Sequence, residues 1–448
     1  MHDDHKKHLV AVVGAGPAGL YAARELAAQG VHVFLMNRDI KPGGLAEYGI
    51  YFDKYKMKQG LRAQFRQTLQ NPEIEYIGNI LVGEDSSVTL ADLLSWGAEA
   101  VLVTAGAQGT KWLGIPGEDL VGVYHAKDIV YHYNQLPPFS QRTIHIGEKV
   151  AVIGVGNVMM DISHYLICEK KVKEVIALAR RGPAETKFDR KELEGVEANL
   201  DLAAYDAEVD RVSAAMRAVN QDPETAREFV HTSMEKAVPT GSTTHLTIRF
   251  LSSPVRIVGD ANGNVIGLEI EDNTLVADSN GSIKARSLGT RKILDVDTVI
   301  FAIGDRVDDH LGLPIQDSVF AKNPCPLYPV DDQSYEAFDP QTGQPISDVF
   351  EAGWSRNASS GLVGVARRDA VNGAQAILQH LQRKPGVTSQ VISTYRENLL
   401  SAGKPAVTYP MIKQLELEEM RIAAEKGLEE FKFSTNQEML EAMGIKQI

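Results

Sequence analysis

A chain of 448 residues is too long for one simple core, so two or more domains are expected, and its 44% hydrophobic and 23% charged residues are the proportions of an ordinary soluble globular protein. A formal net charge of −13 argues against nucleic acid or an anionic membrane surface as the main partner. Two cysteines, Cys168 and Cys325, with no CxxC pair, exclude a disulfide framework, a four-thiolate iron–sulfur site and a dithiol relay, and they predict a reducing, cytoplasmic location.

The N-terminus "MHDDHKKH" is polar and predicts a frayed tail. "HLVAVVGAGPAGLYAARELAAQGVHVFLMNRD" then reads as a strand, a glycine turn, a helix over 18–29 and a second strand over Val31–Met36, a βαβ start. Gly14, Gly16 and Gly19, with Pro17 and Ala18 between them, make the pattern G-x-G-x-x-G. Gly14 allows the tight turn, Gly16 lets a pyrophosphate approach the backbone, and Gly19 lets helix pack on strand. The first N–H groups and the positive dipole end of the helix would then face the phosphates. A strand over 100–105 runs into the small residues Ala105–Gly109 and a Pro/Gly turn, which reads as a domain crossover.

The pattern recurs in "EKVAVIGVGNVMMDISHYL", with Gly154, Gly156, Asn157 and Val158, and Met159 where the third glycine would stand. One nucleotide site suits a dehydrogenase; two suit a flavoprotein that takes hydride from a nicotinamide. "VKEVIALARRGP" supplies the second strand of this unit. An NAD-binding unit usually offers an acid to the ribose hydroxyls at this strand end. Here the strand ends in Arg180-Arg181, and guanidinium groups bind phosphate bidentately, so the predicted ligand is NADPH rather than NADH. Residues 206–238 read as polar helix and 245–294 as a β-meander with turns at "ANGN" and "SNGS". "DVDTVIFAIGDRVD" returns the chain to the first domain, "ISDVFEAGW" is a short strand, a glycine turn then feeds a helix, and the tail from about 386 is partly helical. The expected architecture is α/β, with two Rossmann-like dinucleotide-binding domains. An NADP-binding domain, 107–304, is inserted into a discontinuous FAD-binding domain, 1–106 and 305–448.

The stretches "VVGAGPAGLYAA", "GGLAEYGI", "LGIPGEDLVGVYHA", "VIGVGNVMMDISHYL", "ARRGPAETKFDRKELE" and "GWSRNASSGLVGVARRDA" resemble the adrenodoxin-reductase-like ferredoxin–NADP reductases, a branch of the glutathione-reductase-type flavoproteins. The resemblance is colinear over nearly the whole chain. It implies FAD in the first domain, NADP(H) in the inserted one, and electrons passed between NADPH and a small iron–sulfur protein. It also implies Gly14, Gly16, Ala18 and Gly19 at the FAD pyrophosphate, and Leu45 and Val82 in the FAD pocket. Gly353, Trp354, Gly361, Leu362 and Val363 would lie against the flavin, with Gly361 also near NADP. Gly154, Gly156, Asn157 and Val158 would hold the NADP pyrophosphate, Arg180 and Arg181 the 2′-phosphate, and Glu192 would lie close to NADP.

Four positions depart from the family pattern. Asn37 stands where the family carries a glutamate for the FAD ribose, a change worth on the order of 1 kcal/mol. Lys54 replaces a histidine of the flavin's hydrogen-bond network and would alter the potential or pH profile. "SRNASSG" replaces a "KRGPTG"-like turn, and "GLEEFKF" a basic "GRPRVKF"-like ending. Lys54 and Glu192 are the candidates for the flavin and nicotinamide environment; no metal-spaced cluster stands out. A small acidic carrier such as ferredoxin would dock on a basic face, either Lys54, Lys56, Lys58, Arg62 and Arg66 or Lys187, Arg190 and Lys191. The competing readings are an electron-input subunit like that of glutamate synthase, a reductase of quinone or oxygen, and a nucleotide-binding redox sensor without turnover.

Overall fold

The computed structural model describes residues 6–51, 54–358, 363–402 and 405–445. The chain divides into two compact units, Met1–Thr110 with Tyr131–Gln141 and Gly304–Ile448, and Lys111–Val130 with Arg142–Ile303. Residues 131–141 lie inside the range expected for the inserted domain but belong to the first unit, where Tyr131 and Leu136 cluster with Tyr48.

The sheet of the first unit runs Glu336–Asp339, Gln344–Glu351, Ala100–Val103, Leu9–Val13, His32–Met36, Ile74–Gly78, Val407–Thr408. Its five inner strands are parallel and each edge strand is antiparallel. "LVAVV" and "HVFLM" are buried at every position, the pattern of parallel strands covered on both faces. Alternation divides the core. Val10, Val12, Leu102 and Phe350 pack with Leu20, Ala370 and Ile377 of the helices Pro17–Ala28 and Val363–Leu381, while Leu9, Ala11, Val13, Val101 and Val103 form the opposite face.

Buried charges tie the C-terminal segment to the start of this unit. Lys41 meets Glu419 at 2.5 Å and Glu47 at 3.6 Å, Lys432 meets Glu47 at 3.2 Å, and Lys58 meets Glu430 at 3.3 Å. Arg62 pairs with both Glu47 and Glu430. Burial pushes Glu47 up, yet Lys432, Lys41 and Arg62 together hold it well below the usual carboxylate range. Burial pushes Lys432 down to about 8 against the pull of Glu47 and Glu430.

The second unit has a fully parallel sheet, in the order Val123–His125, Thr298–Phe301, Lys149–Ile153, Glu174–Leu178, His245–Arg249. His245–Arg249, expected to open the meander, instead closes this sheet beside Glu174–Leu178. The reason is topological: it follows the helices Leu202–Arg217 and Pro223–Met234, and a strand returning through a helical crossover pairs in parallel. The meander proper is Ser252–Gly259, Val265–Ala277 and Ile283–Leu294. Asp260 takes the amides of Asn262 and Asn264 at its first turn, and Asp278 those of Asn280 and Ser282 at its second. Among the described residues no helix is long and apolar enough to cross a membrane.

Candidate functional site

Parallel strands place their loops at one edge, and binding sites form beyond their carboxyl ends. In the first unit a cavity of about 340 Å³ lies there, lined by residues that follow all five inner strands: Gly14 and Gly16, Asn37, Ile80–Val82, Thr104–Gln108, and Trp354. Pro17, Ala18, Leu45 and Val363 also line it. Gly19 and Gly353 stand behind the wall. A Cβ on Gly19 would overlap the Gly14 carbonyl oxygen, and Gly353, at φ +71°, would bring one within 2.6 Å of the Ala18 Cβ. Gly361 and Leu362 lie outside the described residues. Lys54 is half-buried at the start of the helix Tyr55–Leu69 and is not part of the cavity wall.

The cavity has the donor set of FAD. A Cβ on Gly16 would meet nothing within 4 Å, so the backbone is open to close approach. No side chain caps the helix Pro17–Ala28, so its first amides are left for an anion. Apolar residues and Trp354 offer a wall for a flat ring. Arg38, Asp39, Asp308, His310 and Phe320 line the cavity too and were not anticipated. The small run Ala105–Gly109 was the available signal for Gly106 and Ala107, because small residues just past a strand end leave space for a ligand.

Asn37 is buried and its amide is engaged within the protein. Its Oδ1 accepts from the Ala15 N–H at 3.1 Å, and its Nδ2 donates to the carbonyls of Asp39 and Lys41 at 3.0 and 2.9 Å. Both hydrogens of the amide are therefore spent on holding the glycine turn to the 39–41 loop.

In the second unit Gly154 sits at φ +123°, where a Cβ would overlap the Ala302 carbonyl, and Gly156 faces open space. No side chain caps the helix Asn157–Tyr165. The Asn157 amide clasps Asp189 instead: Nδ2 donates to Oδ2 at 2.8 Å, and Oδ1 accepts the Asp189 N–H at 2.8 Å. With the Lys187 N–H on the Val155 carbonyl at 2.9 Å, this lays residues 187–189 along the turn, and the helix Arg190–Glu194 carrying Glu192 follows. Val158 is 46% exposed beside the turn. Met159 is fully buried, so this helix leaves room for a side chain where Gly19 has none.

The Arg180 carbonyl accepts from Asn273 Nδ2 and the Arg181 carbonyl from the Leu251 N–H, each at 3.1 Å, which fixes the backbone of the strand end. Neither guanidinium has an ion pair or hydrogen bond among the described residues. The neighbouring acid Glu185 is turned to the Gly182 N–H at 2.9 Å. Two guanidinium groups without an internal partner among the described residues, carried on a fixed backbone, are available to an anion.

The first expected docking face is corrected. Lys58 is 1% exposed, bonded to Glu430 and Asn134, and Arg62 is paired with Glu47 and Glu430. Arg66 pairs with Glu416 at 2.9 Å. A buried, neutralised cation presents no field to a partner, and within this set only Lys56 is exposed. Lys187, Arg190 and Lys191 are all exposed.

Two glycine-turn cradles on two parallel sheets, one walled for a flat ring and one ending in free arginines, define a two-nucleotide oxidoreductase. A family model described as pyridine nucleotide-disulphide oxidoreductase matches residues 8–324, and the chain belongs to that family, which is flavin-dependent. The chain is 29% identical over 416 residues to the NADPH-ferredoxin reductase FprA of Mycobacterium leprae, covering 84% of this chain and 85% of that protein. It is 27% identical over 478 residues to the mitochondrial NADPH:adrenodoxin oxidoreductase of Salvelinus fontinalis, covering 96% and 90%. The structure of Mycobacterium tuberculosis FprA in complex with NADPH matches with a TM-score of 0.82 at 24% identity, over 98% of this chain and 99% of that one, which establishes the fold.

Proposed function

We propose that this protein is an FAD-containing NADPH oxidoreductase that passes electrons one at a time to a ferredoxin-type carrier. The observation that carries the reading is the pairing of a ring-walled cradle in one unit with an arginine-ended cradle in the other. FAD, when bound, supplies the exchange between two-electron and one-electron transfer. The residues of the chain do the rest. The first-turn amides at Ala18 and Gly19 would take the FAD pyrophosphate, and Trp354 and Val363, which line the cavity, would bound the ring. The helix Val363–Leu381 begins at the cavity wall, so its positive end favours negative charge on the ring. The amides following Gly156 take the NADP pyrophosphate, and Arg180 and Arg181 take the 2′-phosphate. Glu192, on the helix that follows the Asn157–Asp189 clasp, would stand close to the nucleotide.

The carrier is acidic and docks on the exposed cations Lys187, Arg190 and Lys191. Cys168 and Cys325 are not joined in a disulfide, which suits a cytoplasmic setting. Anaerobic titration of the FAD-loaded protein with NADPH, followed by ferredoxins, flavodoxins, quinone or oxygen, tests the reading. Bleaching of the flavin spectrum by NADPH and its fastest return with a ferredoxin are expected. A protein that binds NADPH without bleaching would be a sensor, and fastest return with quinone or oxygen would replace the carrier.

A further inference from the structure

The turn Gly353–Ser355 brings Trp354 to the wall of the first-unit cavity, and a buried ion pair holds that turn from behind. Asp369 is 8% exposed on the helix Val363–Leu381. Its Oδ2 accepts the Gly353 N–H at 2.6 Å, and its Oδ1 accepts Arg356 Nη2 at 2.6 Å and Nε at 3.1 Å. Arg356 is 6% exposed, stacks over the Tyr335 ring at 4.4 Å, and its carbonyl accepts from Lys322 Nζ at 3.1 Å. On the cavity side, Ser355 Oγ accepts the Gly106 N–H at 3.0 Å. One carboxylate thus fixes the residue before Trp354, the arginine two residues after it, and, through Gly353, the contact with Ala18 in the first turn of the phosphate-binding helix.

A buried ion pair is a weak source of net stability, because desolvation of both partners offsets their attraction, but it fixes geometry. Here it fixes a short turn to a helix whose own first turn, at Val363 and Ala366, also lines the cavity. The pair joins two wall segments that no continuous strand joins.

We propose that Asp369 and Arg356 are positioning residues for the bound flavin. They set the turn that carries Trp354, through Ser355 against Gly106 and through Gly353 against Ala18, and so determine how tightly, and in what asymmetric environment, the ring is held. The inference rests on the FAD reading above and deepens it.

The test compares the parent with Asp369→Asn and Arg356→Lys in four measurements: FAD dissociation constant, visible circular dichroism of bound flavin, melting temperature of the FAD-stripped protein, and NADP⁺ affinity. Asp369→Asn is expected to raise the FAD dissociation constant at least tenfold and to change the visible dichroism. Arg356→Lys, which keeps the charge and loses the two-pronged geometry, is expected to raise it three- to tenfold. NADP⁺ affinity should stay within twofold in both. If both variants keep the FAD constant within twofold and the dichroism unchanged, even with a lowered melting temperature, the pair is only a structural clamp and the inference is overturned. Should Asp369→Asn fail to fold, Arg356→Lys decides on the same thresholds. A parent that retains no FAD overturns the cofactor reading and this inference with it, whereas a parent that retains FAD beside unchanged variants overturns this inference alone.

Discussion

Replacing Arg180 and Arg181 together by alanine should turn the protein from an NADPH enzyme into one nearly indifferent to the 2′-phosphate. The backbone there is tied by Asn273 and Leu251, so removing the two side chains leaves the strand end in place. Neither guanidinium is paired among the described residues, so no internal acid is orphaned by the change. A hydrogen bond to a charged group is worth about 1.5–3 kcal/mol. Arg180 is exposed and Arg181 half-buried, so solvent and salt bring each nearer about 1–1.5 kcal/mol. The pair then accounts for about 2–3 kcal/mol, or roughly a 30- to 150-fold loss in kcat/KM for NADPH, at about tenfold per 1.36 kcal/mol. The assay is steady-state reduction of ferricyanide with NADPH and NADH at two ionic strengths. NADH should be almost unaffected, and the salt dependence of the NADPH rate should flatten. A preference that changes less than threefold, or an equal fall for both nucleotides, would falsify the 2′-phosphate assignment.

Four further outcomes follow from particular contacts. Asp189→Asn keeps the clasp on Asn157 but removes a carboxylate beside the second glycine turn; NADP⁺ should bind about two- to fivefold tighter, an effect of about 0.5–1 kcal/mol, and weaker binding in an equilibrium titration would contradict the geometry. Glu47→Gln leaves Lys41, Arg62 and Lys432 around a neutral amide and should cost about 3–5 kcal/mol in urea unfolding at pH 7. Because Glu47 is held below its unfolded value, that cost should shrink as pH falls below the normal carboxylate range; a cost independent of pH would count against the pairing. Glu351 runs the other way. Burial raises it well above normal despite Lys322 and Arg356, with Asp369 adding to the rise, and neither of its oxygens has a hydrogen-bond partner among the described residues. The folded state therefore holds a proton that the unfolded state releases, and stability falls as pH rises from the unfolded carboxylate value toward the folded one. Glu351→Gln should leave the melting temperature unchanged near pH 4 and raise it progressively above that, and equal shifts at all pH values would refute this. Finally, charge reversal at Lys187 and Lys191 should weaken the salt-dependent rate with an acidic ferredoxin, while reversal at Lys56 alone should not.

How much of this was legible in the sequence depended on the range of the interactions involved. Gly14, Gly16, Gly154 and Gly156 announce themselves because a turn between strand and helix is a local constraint that few residues satisfy. The valine-rich strands are legible because burial on both faces leaves no polar position in five residues. His245–Arg249 was misplaced because a strand's partner is set by topology, and its own alternation is the same in a meander and at the edge of a parallel sheet. Asn37 was identified as a departure, but its three internal hydrogen bonds depend on where the 39–41 loop turns, which no spacing encodes.

The basic helix is the more instructive case. Lys54, Lys58, Arg62 and Arg66 follow one another four residues apart, with Lys56 off that face, and a run of like charges on a helix is ordinarily a solvated face. Its neutralising partner Glu430 is 372 residues from Lys58. That same Glu430 belongs to the "GLEEFKF" ending that departs from the family's basic one. The two observations are one fact: an acid in the tail is what permits Lys58 to be buried, and Lys432 beside it holds Glu47 in the same network. The tail's acid neutralises cations of the first face internally, whereas Lys187, Arg190 and Lys191 are exposed, which supports the proposal that an acidic carrier docks there. The consequence is measurable: Glu430→Gln should lower stability without improving the rate with ferredoxin, since the released Lys58 stays buried. A faster, more salt-dependent rate in that variant would return the docking site to the first face.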